Sequence, residues 1–482
     1  MTSTRRDVLR LLGLGAVAVA GVPGCSLLTG TPQPQLLTSA APLPRPYAVP
    51  LPVPEVAKPV RSAGGADFYE LTERAAEVEV LPGLRTGIWG YGGTFPGPTI
   101  QARAGRRTVV KLVNQLGEPT VLHLHGGHTP PESDGFPTDL VAPGASREYV
   151  FPLEQRAATL WYHDHRMDYT GPQVWRGLAG MFLVRDAEEE ALPLPAGERD
   201  VPLLICDRSF AADGTMLYPA LEGRPGVREA YMGGVLGDVI LVNGAPWPEL
   251  RVARARYRLR LCNASNARTY ELTTGGPLVQ IGTDGGLLAQ PRTVRQLRLA
   301  PGERADVVVD FSAYKVGQHV ELRNLAGEGA QARVMRFAVD RDERDESAVP
   351  ARLSTVEALD PGKAKVTREF EFSSGGMGWL INGKPFDPKR MEARPRLGDI
   401  EVWRLTSDVA HPVHLHLDHF QVLTVNGERP QGPPGWKDTV ELREAQTVEI
   451  VTRFTDYRGR YVLHCHNLEH EDMAMMAAFE VI

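Results

Sequence analysis

The chain has 482 residues, 42% of them hydrophobic, long and apolar enough to bury the cores of more than one domain. Its net charge of −6, with no basic stripe, argues against nucleic acid as a partner. The 49 glycines and 39 prolines leave few long helical patterns and favour antiparallel β-sandwiches.

The N-terminus reads as an address. Arg5 and Arg6 precede an apolar run from Leu11 to Val22 that is too short to span a bilayer comfortably. Twin arginines before such a run indicate a bacterial Tat signal over residues 1–25, a route that exports folded proteins to a periplasmic or secreted location. Val22-Pro23-Gly24-Cys25 resembles a lipoprotein cleavage box, so a lipid anchor on Cys25 and simple cleavage nearby both stay open. Residues 26–65 are rich in proline and poor in charge, and read as an extended linker or tether.

Three modules follow, over 66–190, 198–345 and 365–482. Their openings echo one another: GGTFPGPTIQARAGRRTVVKLVN, LVNGAPWPELRVARARYRLRLCN and LINGKPFDPKRMEARPRLGDIEVWRLTS. A second echo closes each: APGASREYVF, APGERADVVVDF and REAQTVEIVTRF. Alternating runs such as TVVKLVN and VEIVTRF predict strands, punctuated by Gly and Pro. The run from Asp340 to Glu346, DRDERDE, reads as a solvated linker into the third module. Cys206 and Cys262 fall in strand-like segments of the middle module, as buried free thiols or as a disulfide.

Ten of the 13 histidines fall in four clusters, too concentrated for scattered core or surface residues. His123 and His125 stand in VLHLHG, His163 and His165 in WYHDH, His411, His414 and His416 in HPVHLH, and His464, His466 and His470 in HCHNLEH. Spacing of i, i+2 puts both imidazoles of a pair on one face of an extended strand. Cys465 lies between His464 and His466, which then point away from it to a second metal. Cys465, His470 and Met475 supply the thiolate, imidazole and weak thioether of a blue-copper site. A structural zinc site would need four ligands with paired spacing; the count here exceeds one metal and no CxxC is present.

These four clusters resemble the copper motifs of the multicopper oxidases, the laccase family in the broad sense, from about residue 66 to 482. The first motif usually reads HWHG; Leu124 replaces the tryptophan between the ligands. The resemblance implies an all-β protein of three cupredoxin-like Greek-key β-sandwich domains. It implies four copper ions per chain: a type 1 copper on His411, Cys465 and His470 with Met475 axial, and a type 2 copper on His123 and His414. The type 3 pair would take His125, His163, His165, His416, His464 and His466. With ligands only in the first and third modules, the cluster must lie where those two face each other, bridged by the middle one.

The implied reaction couples one-electron oxidations of phenols or similar small reductants to reduction of O2 to water. The alternative is Cu(I) oxidation for copper tolerance; such members tend to carry a methionine-rich insert, and the 11 methionines here form no such cluster. A methionine axial ligand implies a lower potential than an apolar residue there, so a high-potential fungal-type laccase is not expected. Glu471 matches the family's proton-relay glutamate and Asp134 an aspartate near the type 2 site, with Asp472 and Asp408 weaker candidates. The donor needs to approach an exposed edge of His470 or His411. Asp164 reads as structural, His419 as a packing or rim residue, and His128 and His319 need no function. The protein is expected to act as a monomer.

Overall fold

The computed structural model describes residues 33–219, 231–375, 378–432 and 434–482. The signal segment, with Arg5, Arg6 and Cys25, lies outside them. Among the described residues no helix is long and apolar enough to cross a membrane.

Three β-sandwiches follow one another along the chain. The first packs a four-stranded sheet (Gly97–Arg103, Ala179–Arg185, Ala158–Asp164, Leu122–His125) on a sheet containing Arg61–Ala63, Ala66–Val78, Thr86–Tyr91, Arg107–Asn114 and Ser146–Phe151. The second pairs a seven-stranded sheet, from Ala245–Pro246 at one edge to Gly286–Val294 at the other, with a five-stranded one. The third has two five-stranded sheets, one of which carries His411–Leu415 and Gly459–Cys465 side by side.

The sequence echoes correspond to the same pairing in each sandwich. Each opening forms an edge strand parallel to the domain's last strand: Gly97–Arg103 with Ala179–Arg185, Glu249–Ala253 with Arg333–Arg341, and Met391–Ala393 with Met476–Val481. Further parallel pairs join Ala66–Val78 to Arg107–Asn114, Asp200–Arg208 to Arg256–Asn263, and Val366–Gly375 to Ile400–Ser407. The sheets are therefore mixed and not purely antiparallel as expected. The reason is topological: the chain crosses to the opposite sheet and back between the paired strands, which returns it in the same direction. Inward-facing residues of both sheets fill each core, as in Arg107–Asn114, where Val110 and Leu112 point into it.

The tether is extended but not free. Gln35–Leu36 pairs in parallel with Val235–Leu236, and Ser39 donates to Asp238 through both its backbone N and its hydroxyl. Further along, Tyr47 N donates to the Trp247 carbonyl, Leu51 N to Glu249, and Ala57 N to Thr99. Proline carries no N–H, so a proline-rich chain docks only where its remaining donors meet acceptors, and here they alternate with the prolines. The result is a strap running along the second sandwich and on to the first. The acidic run is exposed, as expected of a solvated linker, except at Asp345, which accepts from Arg199 at 2.6 Å and from the Arg256 amide at 2.8 Å. Cys206 and Cys262 are free and buried, so of the two readings the free thiols hold.

Candidate metal centres

The histidine motifs meet in register. Leu122–His125 pairs with Ala158–Asp164 so that His123 faces His163, and His411–Leu415 pairs with Gly459–Cys465 so that His414 faces His464 and Val413 faces Cys465. His165, His416 and His466 lie just past their strand ends. All ten histidines and Cys465 are buried.

Three imidazole groupings emerge. The Nε2 atoms of His165, His416 and His464 converge, 3.2 to 3.3 Å from one another. Beside them, His123 Nε2 and His414 Nε2 stand 3.4 Å apart. The third grouping holds His125, His163 and His466, whose rings lie within 5.7 Å of each other by centroid. Apart from these, His411 Nδ1 and His470 Nδ1 approach to 3.1 Å, and Cys465 Sγ lies 3.5 Å from the first and 3.6 Å from the second. Met475 is buried in the same core, its carbonyl accepting from Cys465 N at 3.1 Å.

Outer partners fix the rings. His123 Nδ1 donates to the Asp134 carbonyl at 2.6 Å, His416 Nδ1 to Asp134 Oδ2 at 2.8 Å, His414 Nδ1 to the Asp438 carbonyl at 2.9 Å, and His163 Nδ1 to the Asp164 carbonyl at 2.7 Å. With Nδ1 so engaged, each of these rings turns Nε2 inward. His125 is the reverse: its Nε2 donates to Asp438 Oδ1 at 3.1 Å, which turns Nδ1 inward. His411 Nε2 donates to Asp408 Oδ1 at 3.2 Å.

The donor set fits copper. His125 Nδ1, His163 Nε2 and His466 Nε2 are buried with no hydrogen-bond partner in the protein, a costly condition that a metal relieves. Burial, helped by neighbouring imidazoles, holds His123, His125, His163, His416, His464 and His466 well below the usual histidine range, and His165 down to about 4. They are neutral, the form that ligates. Burial also pushes the Cys465 thiol well up, so thiolate forms there only as a cation displaces its proton.

The carboxylates sort by contact. Glu471 accepts from Thr170 Oγ1 at 2.6 Å and sits 3.2 Å from His165 Nδ1 and 3.1 Å from His464 Nδ1, close but poorly aligned for hydrogen bonding. Burial raises its pKa. Asp472 accepts from the amides of Thr170 and Gly171, which ties helix Leu468–Asp472 to the first sandwich. Asp164 accepts from the Val121 and Arg166 amides. His419, expected to be a packing or rim residue, stands 3.7 Å from Asp438 Oδ2, and His128 is held between Asp418 and Asp456.

Several functional neighbours escaped the motif reading. Trp379 stacks on His470 at 3.8 Å and meets His411 edge-on at 5.3 Å. Arg304, from the middle sandwich, donates to both oxygens of Asp438, at 2.7 and 2.5 Å. Two glycines permit this close packing. A Cβ on Gly126, the last residue of VLHLHG (φ +84), would fall 2.3 Å from Arg304 Nη2, and one on Gly302 (φ +84) 3.0 Å from His125 Cε1. Neither His411 nor His470 is openly exposed, contrary to expectation; His470 instead borders a cavity of about 300 Å³. A larger cavity of about 730 Å³, against Val422 and Leu359, touches none of these histidines.

The chain matches the multicopper oxidase family over residues 73–189, 226–333 and 352–482, one stretch per sandwich, and belongs to that family. It is therefore a copper-dependent oxidoreductase with O2 as acceptor, built as three cupredoxin-like β-sandwiches. Within the family it is laccase-like. It is 36% identical to a laccase of Bacillus subtilis (strain 168), over 89% of this chain and 97% of that one. It is 35% identical to a bilirubin oxidase of Albifimbria verrucaria, over 97% and 87%. The crystal structure of a laccase from Pediococcus acidilactici superposes with a TM-score of 0.85 at 34% identity, covering 93% of this chain and 96% of that one.

Proposed function

We propose that this protein oxidises phenols or similar small reductants one electron at a time and reduces O2 to two water molecules. His411, Cys465, His470 and Met475 would hold a type 1 copper, and His123 and His414 a type 2 copper. His125, His163 and His466 would hold one type 3 copper, and His165, His416 and His464 the other. Bound there, copper supplies one-electron uptake and the storage of four electrons for O2. The observation that carries this reading is the arrangement of Cys465: its Sγ lies with His411 and His470, while its backbone continues directly into His464, grouped with His165 and His416, and into His466, beside His125 and His163.

The protein's own share is positioning, insulation and proton supply. Cys465 offers a covalent electron route from the outer site to both flanking imidazoles. Asp134, Asp164 and Asp438 orient the rings, and burial keeps water from the thiolate. Glu471, protonated more readily than an ordinary carboxyl and joined to Thr170 Oγ1, would hold a proton beside His165 and His464. Asp134 would serve the His123 and His416 side. The twin arginines support export by the Tat pathway to a periplasmic or extracellular location, with lipid attachment at Cys25 and simple cleavage nearby both open, and with the monomer as the working unit.

Metal analysis of purified, copper-loaded protein, with oxygen uptake on a panel of phenols and on Cu(I), tests this. Four coppers per chain and phenol-driven oxygen uptake are expected. Markedly fewer coppers, with no cluster of three, would overturn it.

A further inference from the structure

We propose that the strap segment Gln33–Leu37 selects the electron donor by size, acting as one wall of the pocket that gives access to His470. This rests on His470 being the type 1 ligand nearest the donor.

The cavity of about 300 Å³ beside His470 is bounded on one side by Gln33 and Pro34 and on others by Leu236, Ala326 and Glu441. The strap is fixed there by a built interface. Gln35 N donates to the Gly234 carbonyl at 2.9 Å and Leu37 N to the Leu236 carbonyl at 2.8 Å, which adds a parallel strand to Val235–Leu236. Leu37 packs into a small apolar group with Trp175, Val235 and Met473, the last at the end of the helix that carries His470. Ser39 anchors the far end on Asp238.

The segment under the strap holds the His470 loop in turn. Val235 N donates to Glu469 Oε2 at 3.0 Å, and Asn467 Nδ2 donates to the Gly233 carbonyl at 3.1 Å. Residues 33–37 and 233–236 thus form a two-layer rim over one flank of His470. The opposite flank is covered from within by Trp379, stacked on the same ring. Among the described residues, the edge left to a donor is the one that faces the cavity. A cavity of that volume takes one aromatic ring with its substituents, whereas a fused or linked ring system meets the strap. The strap contributes no ligand and no charged group to the pocket, so its effect on a donor is steric.

Two kinds of variant move the wall in opposite directions. Gln35→Pro/Leu37→Pro removes both N–H donors of the parallel pair and releases the strap. Pro34→Trp adds bulk to the same wall. Ala326→Trp, on the middle-sandwich wall, serves as the control for the pocket itself. Each is assayed in the full copper-loaded chain for kcat/KM on a single-ring phenol and on a donor of two linked rings. Blue absorbance and calorimetric binding of a redox-inert aromatic analogue are measured alongside. Release should raise the two-ring to one-ring ratio, and Pro34→Trp should lower it, each by about tenfold, the scale on which a pocket wall discriminates. The blue absorbance should not change. If Ala326→Trp lowers the ratio and neither strap variant moves it, the strap has no selective role although the donor pocket stands. If none of the three alters turnover or analogue binding, donors do not enter beside His470, and both the strap and the pocket are excluded.

Discussion

Arg304 is the residue whose loss should reveal how the middle sandwich serves a site to which it gives no ligand. Its guanidinium is fully buried and donates to acceptors on all three sandwiches: Thr159 O, Gly302 O, Asp284 O and both Asp438 oxygens. Asp438 in turn orients His125 through Oδ1 and His414 through its carbonyl. Arg304→Met keeps much of the volume but removes the charge, and leaves the Asp438 carboxylate without its counter-ion in a dry interior. Breaking a buried pair in this way costs about 3–5 kcal/mol, more than the contribution of the intact pair, because the orphaned charge dominates. Arg304→Met/Asp438→Asn removes that charge too and should recover about 1–3 kcal/mol of the loss. Denaturant unfolding of the copper-free protein measures the stability term. Copper content and the blue absorbance of the loaded protein measure the site. Cluster copper should fall while the blue band persists, since His411, Cys465 and His470 make no contact with Arg304. An Arg304→Met protein within about 1 kcal/mol of the parent, with full copper loading, would refute the reasoning.

Cys465→Ser should abolish blue colour and turnover together; full activity in that variant would end the electron-route argument. Glu471→Gln should slow oxygen reduction while stopped-flow reduction of the type 1 site stays fast, and slowed type 1 reduction would assign that carboxylate elsewhere. Burial and the nearby Asp164 push Glu73 from its usual 4.5 up to about 8. A carboxyl with a raised folded pKa stabilises fully below its unfolded value and loses that contribution as pH rises to the folded one. Glu73 should therefore make stability fall between those two values, by at most about 1.4 kcal/mol per pH unit. Glu73→Gln should flatten that slope in unfolding curves taken across the same range, and an unchanged slope would show that another group causes it.

The ligand geometry was legible because it is written at strand spacing. An HxH pair in an extended segment has one outcome for its side chains, and the sequence echoes fix which strands recur in each sandwich. Other features left no such mark. Arg304 sits in APGERADVVVDF, where arginine at the start of a strand is ordinary; only the third dimension brings it to Asp438. Trp379 is one of seven tryptophans, and its stacking on His470 depends on how the residue just before an opening echo meets a loop about ninety residues on. The docking of the strap escaped the sequence reading because proline-rich, charge-poor sequence looks the same whether its few N–H groups face water or a neighbouring strand. Parallel pairing escaped because strand patterns carry no direction.

The facing of Val413 with Cys465 and of His414 with His464 ties metal chemistry to strand alignment. Sliding one of these strands by a single position would send each side chain to the opposite face, handing the thiolate to the inner group and two imidazoles to the outer one. Neither group could then assemble. Only strands aligned in this register can build both groups, so a one-residue insertion or deletion within either strand should be barred from any working descendant of this chain.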